Sequence, residues 1–265
     1  MMIPRQVRQL AALASRLEPL RKWHPIDVQP TIRTSGAGSS EVPDRSANAA
    51  AERNFYVGSQ PGVIRQSLAL VPDPQLTVML DLGCGKGRVL AVASEIGFRE
   101  IVGVELSPVV AAIARENVAK VQRAFPGRSP MRVVTGDAVE FALPDAPLAI
   151  FLFDPFGESS MRRLIERLET TLAGRAHPLT IVYYNPVCGA LFDASPALVR
   201  AHAISVADDE FEQRATRSRS YGTVVLWRDL RHAAGEPSPE AQRRIVVLDN
   251  VSAVLEPLAS PIEAG

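Results

Sequence analysis

The stretch from Val78 to Val89 constrains the fold of this 265-residue chain more than any other part of it. A short apolar run ends in an acid, Asp81, and is followed by glycines at positions 83, 85 and 87 and then by residues of helical composition. Glycines at this spacing allow positive φ and let a ligand approach where a Cβ would otherwise stand. The pattern predicts a buried strand, a tight loop that meets a ligand, and a helix.

The acid at the end of this strand narrows the choice of ligand. A loop that binds phosphate presents hydrogen-bond donors, so a carboxylate there would repel the ligand. A dinucleotide fingerprint reads Gly-x-Gly-x-x-Gly, and the third glycine of this chain falls one residue too early. A phosphate-binding loop needs Ser or Thr after its lysine, whereas Lys86 is followed by Gly87. The carboxylate of Asp81 instead suits a ligand that carries an amine or a cationic centre.

The segment Asp81-Leu82-Gly83-Cys84-Gly85-Lys86-Gly87 resembles the signature loop of class I S-adenosylmethionine (SAM) methyltransferases, acid-x-Gly-x-Gly-x-Gly. The resemblance covers about residues 54 to 228. It implies SAM as cofactor and S-adenosylhomocysteine as product. The chain is similar to bacterial members of unassigned substrate and, more distantly, to protein-lysine methyltransferases.

Predicted strands and helices alternate along the chain. This alternation favours a mostly parallel sheet with helices on both faces. Two later β-rich runs have no long helix between them and predict an antiparallel hairpin at the sheet edge, which is also how the methyltransferase sheet ends. The predicted fold class is therefore α/β, with a Rossmann-like, mostly parallel seven-stranded sheet and an antiparallel C-terminal hairpin. The predicted strands are 77–82, 101–105, 131–135, 148–154, 179–184, 199–206 and 221–227, and the helices between them are about 87–96, 108–125 (with Ser107 as N-cap) and 158–172.

Changes in composition divide the chain into four parts. Residues 1–28 form a predicted basic amphipathic helix, and residues 29–53, rich in Ser, Gly, Pro, Ala and Thr, form a predicted flexible linker. Residues 54–230 are the predicted methyltransferase domain, and 231–265 a tail in which the run Ile245 to Leu248 can add a strand. A basic amphipathic helix can contact an anionic membrane, although packing on the domain or on another subunit is the favoured interpretation.

Side chains that follow the strands form the predicted cofactor site, because ligands of open parallel sheets bind beyond the carboxyl ends of the strands. Glu105 ends the second strand, where a carboxylate can accept both ribose hydroxyls; a solvated acid at the strand end is the alternative. Asp137 follows the third strand; the resemblance places an acid there against the adenine amino group, and by itself it can equally form a turn. Tyr56 is predicted to belong to a lid over the cofactor, and a position in the core is the alternative. The full predicted cofactor-binding set is Asp81, Gly83, Cys84, Gly85, Gly87, Glu105, Leu106, Asp137, Ala138 and Tyr56.

The turn after the fourth strand, Asp154-Pro155-Phe156, carries the predicted chemistry. It resembles the Asp/Asn-Pro-Pro-aromatic element of amino-directed methyltransferases. In that element the acid or amide and a backbone carbonyl accept hydrogen bonds from the target nitrogen, and the aromatic ring packs on the substrate. Phe156 stands where the element has its second proline, so the resemblance does not imply a flipped DNA or RNA base as substrate. An ordinary Asp-Pro turn is the alternative interpretation of this segment. Asn185 follows the neighbouring fifth strand and either lines the site or caps the next helix.

The predicted function is methyl transfer from SAM to an acceptor, with Asp154, Pro155, Phe156 and Asn185 as the catalytic set. An amine nitrogen, on a protein lysine or a small molecule, is the favoured acceptor. An oxygen of a small metabolite and a non-catalytic SAM-binding module are the alternatives. A nicotinamide dehydrogenase is disfavoured by the third glycine and by Asp81. No set of metal ligands and no Ser-His-Asp order stands out in the sequence.

Charge and cysteine content indicate the partners and the compartment. The formal net charge is zero and the pI is near 6.9, so no whole-protein basic field points to nucleic acid. The arginine-rich run 214–219 is either a recognition loop or a solvated one. Two cysteines are too few for a disulfide framework and favour a reducing, cytoplasmic compartment. The sequence shows no apolar run of about 20 residues and no secretory signal pattern, so no transmembrane segment is expected.

Overall fold

The computed structural model describes residues 59–153, 155–207, 221–233, 238–248 and 252–256. The predicted N-terminal helix, the linker, Tyr56, Asp154 and the arginine-rich run 214–219 lie outside these residues. Among the residues that are described, no helix has the length and apolar composition needed to cross a membrane.

Helices and strands alternate through the described chain, as the sequence predicts. The helices are α1 (Pro61–Leu68), α2 (Arg88–Ala93), α3 (Pro108–Ala124), α4 (Glu158–Gly174) and α5 (Gly189–Asp193), with 3₁₀ turns at Pro74–Leu76 and Pro239–Gln242. The strands are β1 (Val78–Leu82), β2 (Glu100–Glu105), β3 (Met131–Thr135), β4 (Leu148–Phe153), β5 (Leu179–Tyr184), β6 (Leu198–Ala207), β7 (Tyr221–Asp229), β8 (Ile245–Leu248) and β9 (Ser252–Leu255).

Seven strands form one sheet in the order β3-β2-β1-β4-β5-β7-β6. Strands β1 to β5 pair in parallel, and β7 runs antiparallel to both β5 and β6. The predicted Rossmann-like, mostly parallel sheet with an antiparallel end is thereby confirmed. The chain leaves β1 towards β2 and β3 on one side and returns to β4 and β5 on the other. Ligands of such sheets bind where the direction reverses, at the carboxyl ends of β1 and β4.

The core lies on both faces of this sheet. One face is covered by α1, α2 and α3 and buries side chains such as Met79, Phe151 and Val182. The other is covered by α4 and α5 and buries Leu80, Ile150 and the rest of a second cluster. The buried residues of helix α4 recur at helical spacing and therefore form one apolar stripe, which packs against the sheet. That stripe comprises Met161, Leu164, Ile165, Leu168 and Leu172.

Two regions differ from the predicted element bounds. Helix α2 ends at Ala93 rather than near residue 96, because the Ser94 hydroxyl donates to the Ala91 carbonyl and the chain turns through Gly97 at φ 93°. At the C-terminal end, β8 does form over Ile245–Leu248, and it pairs antiparallel with β9 in a separate two-stranded sheet. The short β9 run was not recognised in the sequence, since four residues carry little periodicity.

Candidate active site

The glycine loop joins β1 to α2 at the point where the sheet reverses. Gly83, Gly85 and Gly87 adopt φ values of 86°, 52° and 82°, a region that side chains with a Cβ rarely enter. The backbone N–H groups of Gly83 and Cys84 both donate to the carbonyl of Val104, at 2.9 and 3.0 Å. The loop is therefore held against the end of β2, next to the predicted ribose-binding acid.

Asp81 lies at the carboxyl end of β1 and is 3% exposed. Its Oδ2 is buried and has no hydrogen-bond partner within the described part of the chain. Burial, with a smaller contribution from the Glu105 carboxylate, raises the pKa of Asp81 to about 8. A buried carboxyl oxygen without a partner is costly unless a ligand satisfies it. The ammonium group in the amino-acid part of SAM has the charge and the donors to do so, and the residues present fit this cofactor.

Glu105 ends β2 and links the loop to the start of α3. Its Oε2 accepts from the Gly85 N–H at 3.0 Å, and its Oε1 accepts from the Ser107 N–H at 2.9 Å. Burial raises the pKa of Glu105, while these backbone hydrogen bonds oppose the shift. Each carboxylate oxygen has a second lone pair, so the two backbone donors leave acceptor capacity for ribose hydroxyls. Ribose binding by Glu105 stays a prediction.

The edge beyond β2 and β3 carries the remaining cofactor candidates. Asp137 is exposed, and its Oδ1 accepts from the Val139 N–H at 2.8 Å, which is the turn-forming arrangement. Its adjacent residue Ala138 is buried. Leu106 is 55% exposed, and Val109 nearby in the sequence is 56% exposed. The edge thus combines an acid with apolar surface, and an adenine contact by these residues stays a prediction.

In the part of the chain that the structure describes, the predicted acceptor side of the site begins at Pro155. A Cβ added at Gly83 would lie 3.1 Å from the Pro155 Cβ, so the turn after β4 reaches the cofactor loop. Phe156 packs, partly buried, against the core on the α4 side. Before the turn, Phe153 of β4 stacks on Tyr184 of β5 with ring centroids 4.3 Å apart. The structure brings Pro155 and Phe156 to the expected edge of the sheet, whereas Asp154 lies outside the described residues.

Asn185 directly follows β5 and adopts the left-handed conformation at φ 55°. Its N–H donates to the Thr223 carbonyl on β7 at 2.8 Å, and its side-chain Oδ1 accepts from the Ala253 N–H on β9 at 2.8 Å. It does not cap the next helix, since the N-cap residue of α5 is Cys188. Of the two alternatives that the sequence left open, the capping role is wrong, and a role in the site stays a prediction.

Three residues that support the loop were missed by sequence reasoning. Gly103 of β2 leaves room for the side chain of Cys84, whose Sγ lies 2.6 Å from where a Gly103 Cβ would stand. Asn117 of α3 donates to the Lys86 carbonyl at 2.8 Å, and Ala114 packs against Gly87. A glycine inside a strand is a sequence signal for close approach and indicates Gly103. Nothing local distinguishes Asn117 or Ala114.

Comparison with known proteins agrees with this geometry. Residues 79–173 match the model of the methyltransferase domain family. Over 133 residues, 49% of this chain and 80% of the relative, the chain is 27% identical to a protein-lysine N-methyltransferase of Saccharolobus islandicus (strain REY15A).

Solved structures with a similar fold include TrmN from Thermus thermophilus, with 17% identity and a TM-score of 0.47; the match covers 64% of this chain and 49% of that one. Another is an RNA methyltransferase from Salinibacter ruber in complex with S-adenosyl-L-homocysteine, with 19% identity and a TM-score of 0.44; the match covers 69% of this chain and 99% of that one. The chain spans about half the length of the TrmN structure.

The family match begins within β1 and includes the buried acid, the glycine loop and Glu105. These are the residues whose geometry fits a cationic, ribose-containing cofactor. It follows that residues 79–173 form a methyltransferase domain and that its cofactor is S-adenosylmethionine.

Proposed function

We propose that the protein methylates an amine nitrogen, on a lysine side chain of a protein or on a small amine. The observation that carries the proposal is the closeness of Pro155 to the glycine loop, where a Cβ added at Gly83 would lie 3.1 Å from the Pro155 Cβ. Because of this closeness, the turn that resembles the amino-directed element lies next to the loop that binds the methyl donor. The protein-lysine N-methyltransferase name of the 27% identical relative supports the same acceptor class.

When bound, SAM supplies a methyl group on a positively charged sulfur, which is a good leaving group. The task of the chain is then to align a deprotonated amine with that methyl group, and alignment by itself accounts for much of the acceleration in such reactions. In the proposal, the Asp154 carboxylate and a nearby backbone carbonyl accept the hydrogen bonds of the amine and direct its lone pair. Phe156 provides apolar surface against the acceptor.

Asp81 and Glu105 serve the cofactor and not the acceptor in this scheme. Asp81 lies under the loop, and the two oxygens of Glu105 face the backbone at Gly85 and Ser107. Neither carboxylate is required to remove the proton from the acceptor, which is expected to bind after losing its proton to solvent. The division of labour predicts that cofactor binding and turnover can be separated by mutation.

The test is transfer of tritium from methyl-labelled SAM to poly-L-lysine, followed by hydrolysis and separation of the methylated lysines. Label in monomethyl-lysine or its higher homologues supports the proposal. Reductively dimethylated poly-L-lysine, which has few primary amines, is the matched acceptor control, and catechol tests an oxygen acceptor. Label on catechol with none on any amine would show that the acceptor assignment is wrong.

Variants of this assay assign the residues. Asp154→Ala is expected to bind SAM with unchanged affinity and to lose turnover, because it removes only the proposed contact with the acceptor. Asp81→Ala is expected to lose SAM binding itself. Normal turnover by Asp154→Ala would refute its proposed role, whereas loss of SAM binding in that variant would move Asp154 to the cofactor site.

A further inference from the structure

The hairpin formed by β8 and β9 lies outside the residues that match the methyltransferase family, and it is held to the domain by several polar contacts. The Arg200 guanidinium on β6 is paired with Asp193 and donates to the carbonyls of Ala241 and Arg243 just before β8. The Arg243 side chain in turn donates to the carbonyls of Leu255 and Glu256 at the end of β9. These contacts hold both ends of the hairpin segment.

Packing holds the inner face of the same hairpin. The Ile245 Cδ1 lies 2.7 Å from where a Cβ at Gly189 would stand, so α5 and β8 touch at a position that only glycine permits without a shift. Ala253 and Leu255 of β9 are buried, and Leu255 belongs to the core cluster on the α4 side. The hairpin is therefore a docked part of the domain.

One further contact joins the hairpin to the carboxyl edge of the sheet. The Ala253 N–H donates to the Asn185 side chain at 2.8 Å. An amide N–H can only donate, so the atom it meets is the carboxamide oxygen, and the orientation of the Asn185 amide follows from this contact. The backbone of Asn185 is held separately by its N–H bond to Thr223 on β7. Thus β7 positions the main chain of Asn185, and β9 orients its side chain.

Asn185 lies at the edge of the sheet that also carries the proposed acceptor turn. Asn185 follows Tyr184, which pairs with Phe153 in the register of β4 and β5 and stacks on its ring. Two residues after Phe153, Pro155 contacts the cofactor loop at Gly83. Asn185 is therefore one strand away from the turn that reaches the methyl donor.

The size of the contacts distinguishes anchoring from positioning. A single backbone-to-amide hydrogen bond contributes on the order of 1 kcal/mol net. The hairpin already has the Arg200 and Arg243 contacts and the burial of Ile245 and Leu255, so one more bond adds little to its attachment. For the orientation of the Asn185 amide the same bond matters more, because it turns the carboxamide oxygen towards β9.

We propose that the C-terminal hairpin is a working part of the active site, in which the Ala253 N–H positions the Asn185 carboxamide towards the methyl acceptor. The inference rests on methyl transfer and not on the amine acceptor proposed above. Turnover is therefore measured as the total label that moves from methyl-tritiated SAM into the protein, nucleic-acid and small-molecule fractions of a bacterial extract.

The decisive experiment is a double-mutant cycle on full-length protein. Asn185→Gly removes the side chain and keeps the left-handed backbone, and Ala253→Pro removes the donor at a strand position whose N–H points away from β8. Each single variant is expected to lower turnover about tenfold or more, because the methyl acceptor is misplaced. Each is expected to keep the SAM dissociation constant within about twofold of the wild-type value. The double variant is expected to be no slower than the slower single variant, since both act through one group.

Amide hydrogen exchange provides a readout that does not depend on turnover. The Ala253 amide is expected to exchange slowly in the wild type and in Asn185→Asp, which keeps an acceptor oxygen, and fast in Asn185→Gly. If Ala253→Pro does not fold, the comparison of Ala253 amide exchange in Asn185→Asp and in Asn185→Gly tests the hydrogen bond instead. Slower turnover in Asn185→Asp, with Ala253 exchange as in the wild type, would assign a role to the amide nitrogen of Asn185. Equal exchange in wild type and Asn185→Gly, additive effects in the cycle, or full turnover by Asn185→Gly would overturn the inference.

Discussion

The side-chain amide of Asn117 in α3 donates to the main-chain carbonyl of Lys86, across 2.8 Å and 31 positions of sequence. Asn117 is 1% exposed, and its partner lies between Gly85 and Gly87 in the cofactor loop. Glycines leave a loop many conformations, so contacts from outside the loop must select one. This contact ties the loop conformation to the packing of α3.

Asn117→Ala is therefore expected to weaken SAM binding about tenfold and to cost about 1–3 kcal/mol of stability, because a buried carbonyl loses a partner. Isothermal titration with SAM and urea unfolding measure the two effects. Glu116→Ala, at the exposed neighbouring position, is the control and should change neither. Unchanged SAM affinity in a destabilised Asn117→Ala would show that the residue supports the core and not the loop.

The buried carboxyl of Asp81 predicts how stability without ligand depends on pH. Its pKa is raised to about 8 in the folded state from 3.8, chiefly by burial and then by the charge of Glu105. Between these values the folded protein holds a proton that the unfolded chain has lost, so stability falls as pH rises through this window. Glu105, whose pKa is also raised, acts in the same direction. Urea unfolding from pH 5 to 9 should show a smaller decline for Asp81→Asn than for the wild type; parallel curves would contradict the assignment.

Cofactor binding should reverse the protonation of Asp81. The Asp81 Oδ2 has no partner among the described residues, and a cationic group next to it favours the carboxylate, so binding below pH 8 is expected to release a proton and to tighten as pH rises towards that value. Titration calorimetry in phosphate and Tris, which differ in ionisation enthalpy, counts the protons released. S-adenosylhomocysteine carries the same ammonium group and should behave alike. No difference between the buffers at pH 7 would mean that Asp81 keeps its charge state on binding.

Gly103 is predicted to be intolerant of even one added methyl group. A Cβ there would lie 2.6 Å from the Cys84 Sγ and 2.8 Å from the Leu90 Cδ2. Gly103→Ala is expected to cost about 1–3 kcal/mol of stability through overpacking and to weaken SAM binding by displacing the loop. Cys84→Gly in the same chain should restore part of both losses. Gly174→Ala is the matched control, because no atom lies within 4 Å of a Cβ added there. Unaltered SAM affinity in Gly103→Ala would show that the packing at Gly103 does not affect the cofactor site.

The fold around the glycine loop could be predicted from the sequence because its signals are local. The acid, the three glycines and Glu105 follow from a strand, a loop and the next strand, and parallel pairing of β1 with β2 then brings them together. Strand order near the loop follows from the alternation of strands and helices. The C-terminal hairpin was harder to predict, since β9 is only four residues long and its hydrogen-bond partner Asn185 is distant in sequence.

What the sequence determined by itself is the α/β class, the parallel sheet and the presence of a loop for a cationic, non-phosphate ligand, since these depend on periodicity and on residues that are close along the chain. Tertiary structure decided which groups support that loop and which group orients the Asn185 side chain after β5. Asn117 reaches Lys86 and Ala253 reaches Asn185 only after the strands and helices have packed. Such contacts join residues that share no local pattern, and their existence depends on distances that only the packed chain defines.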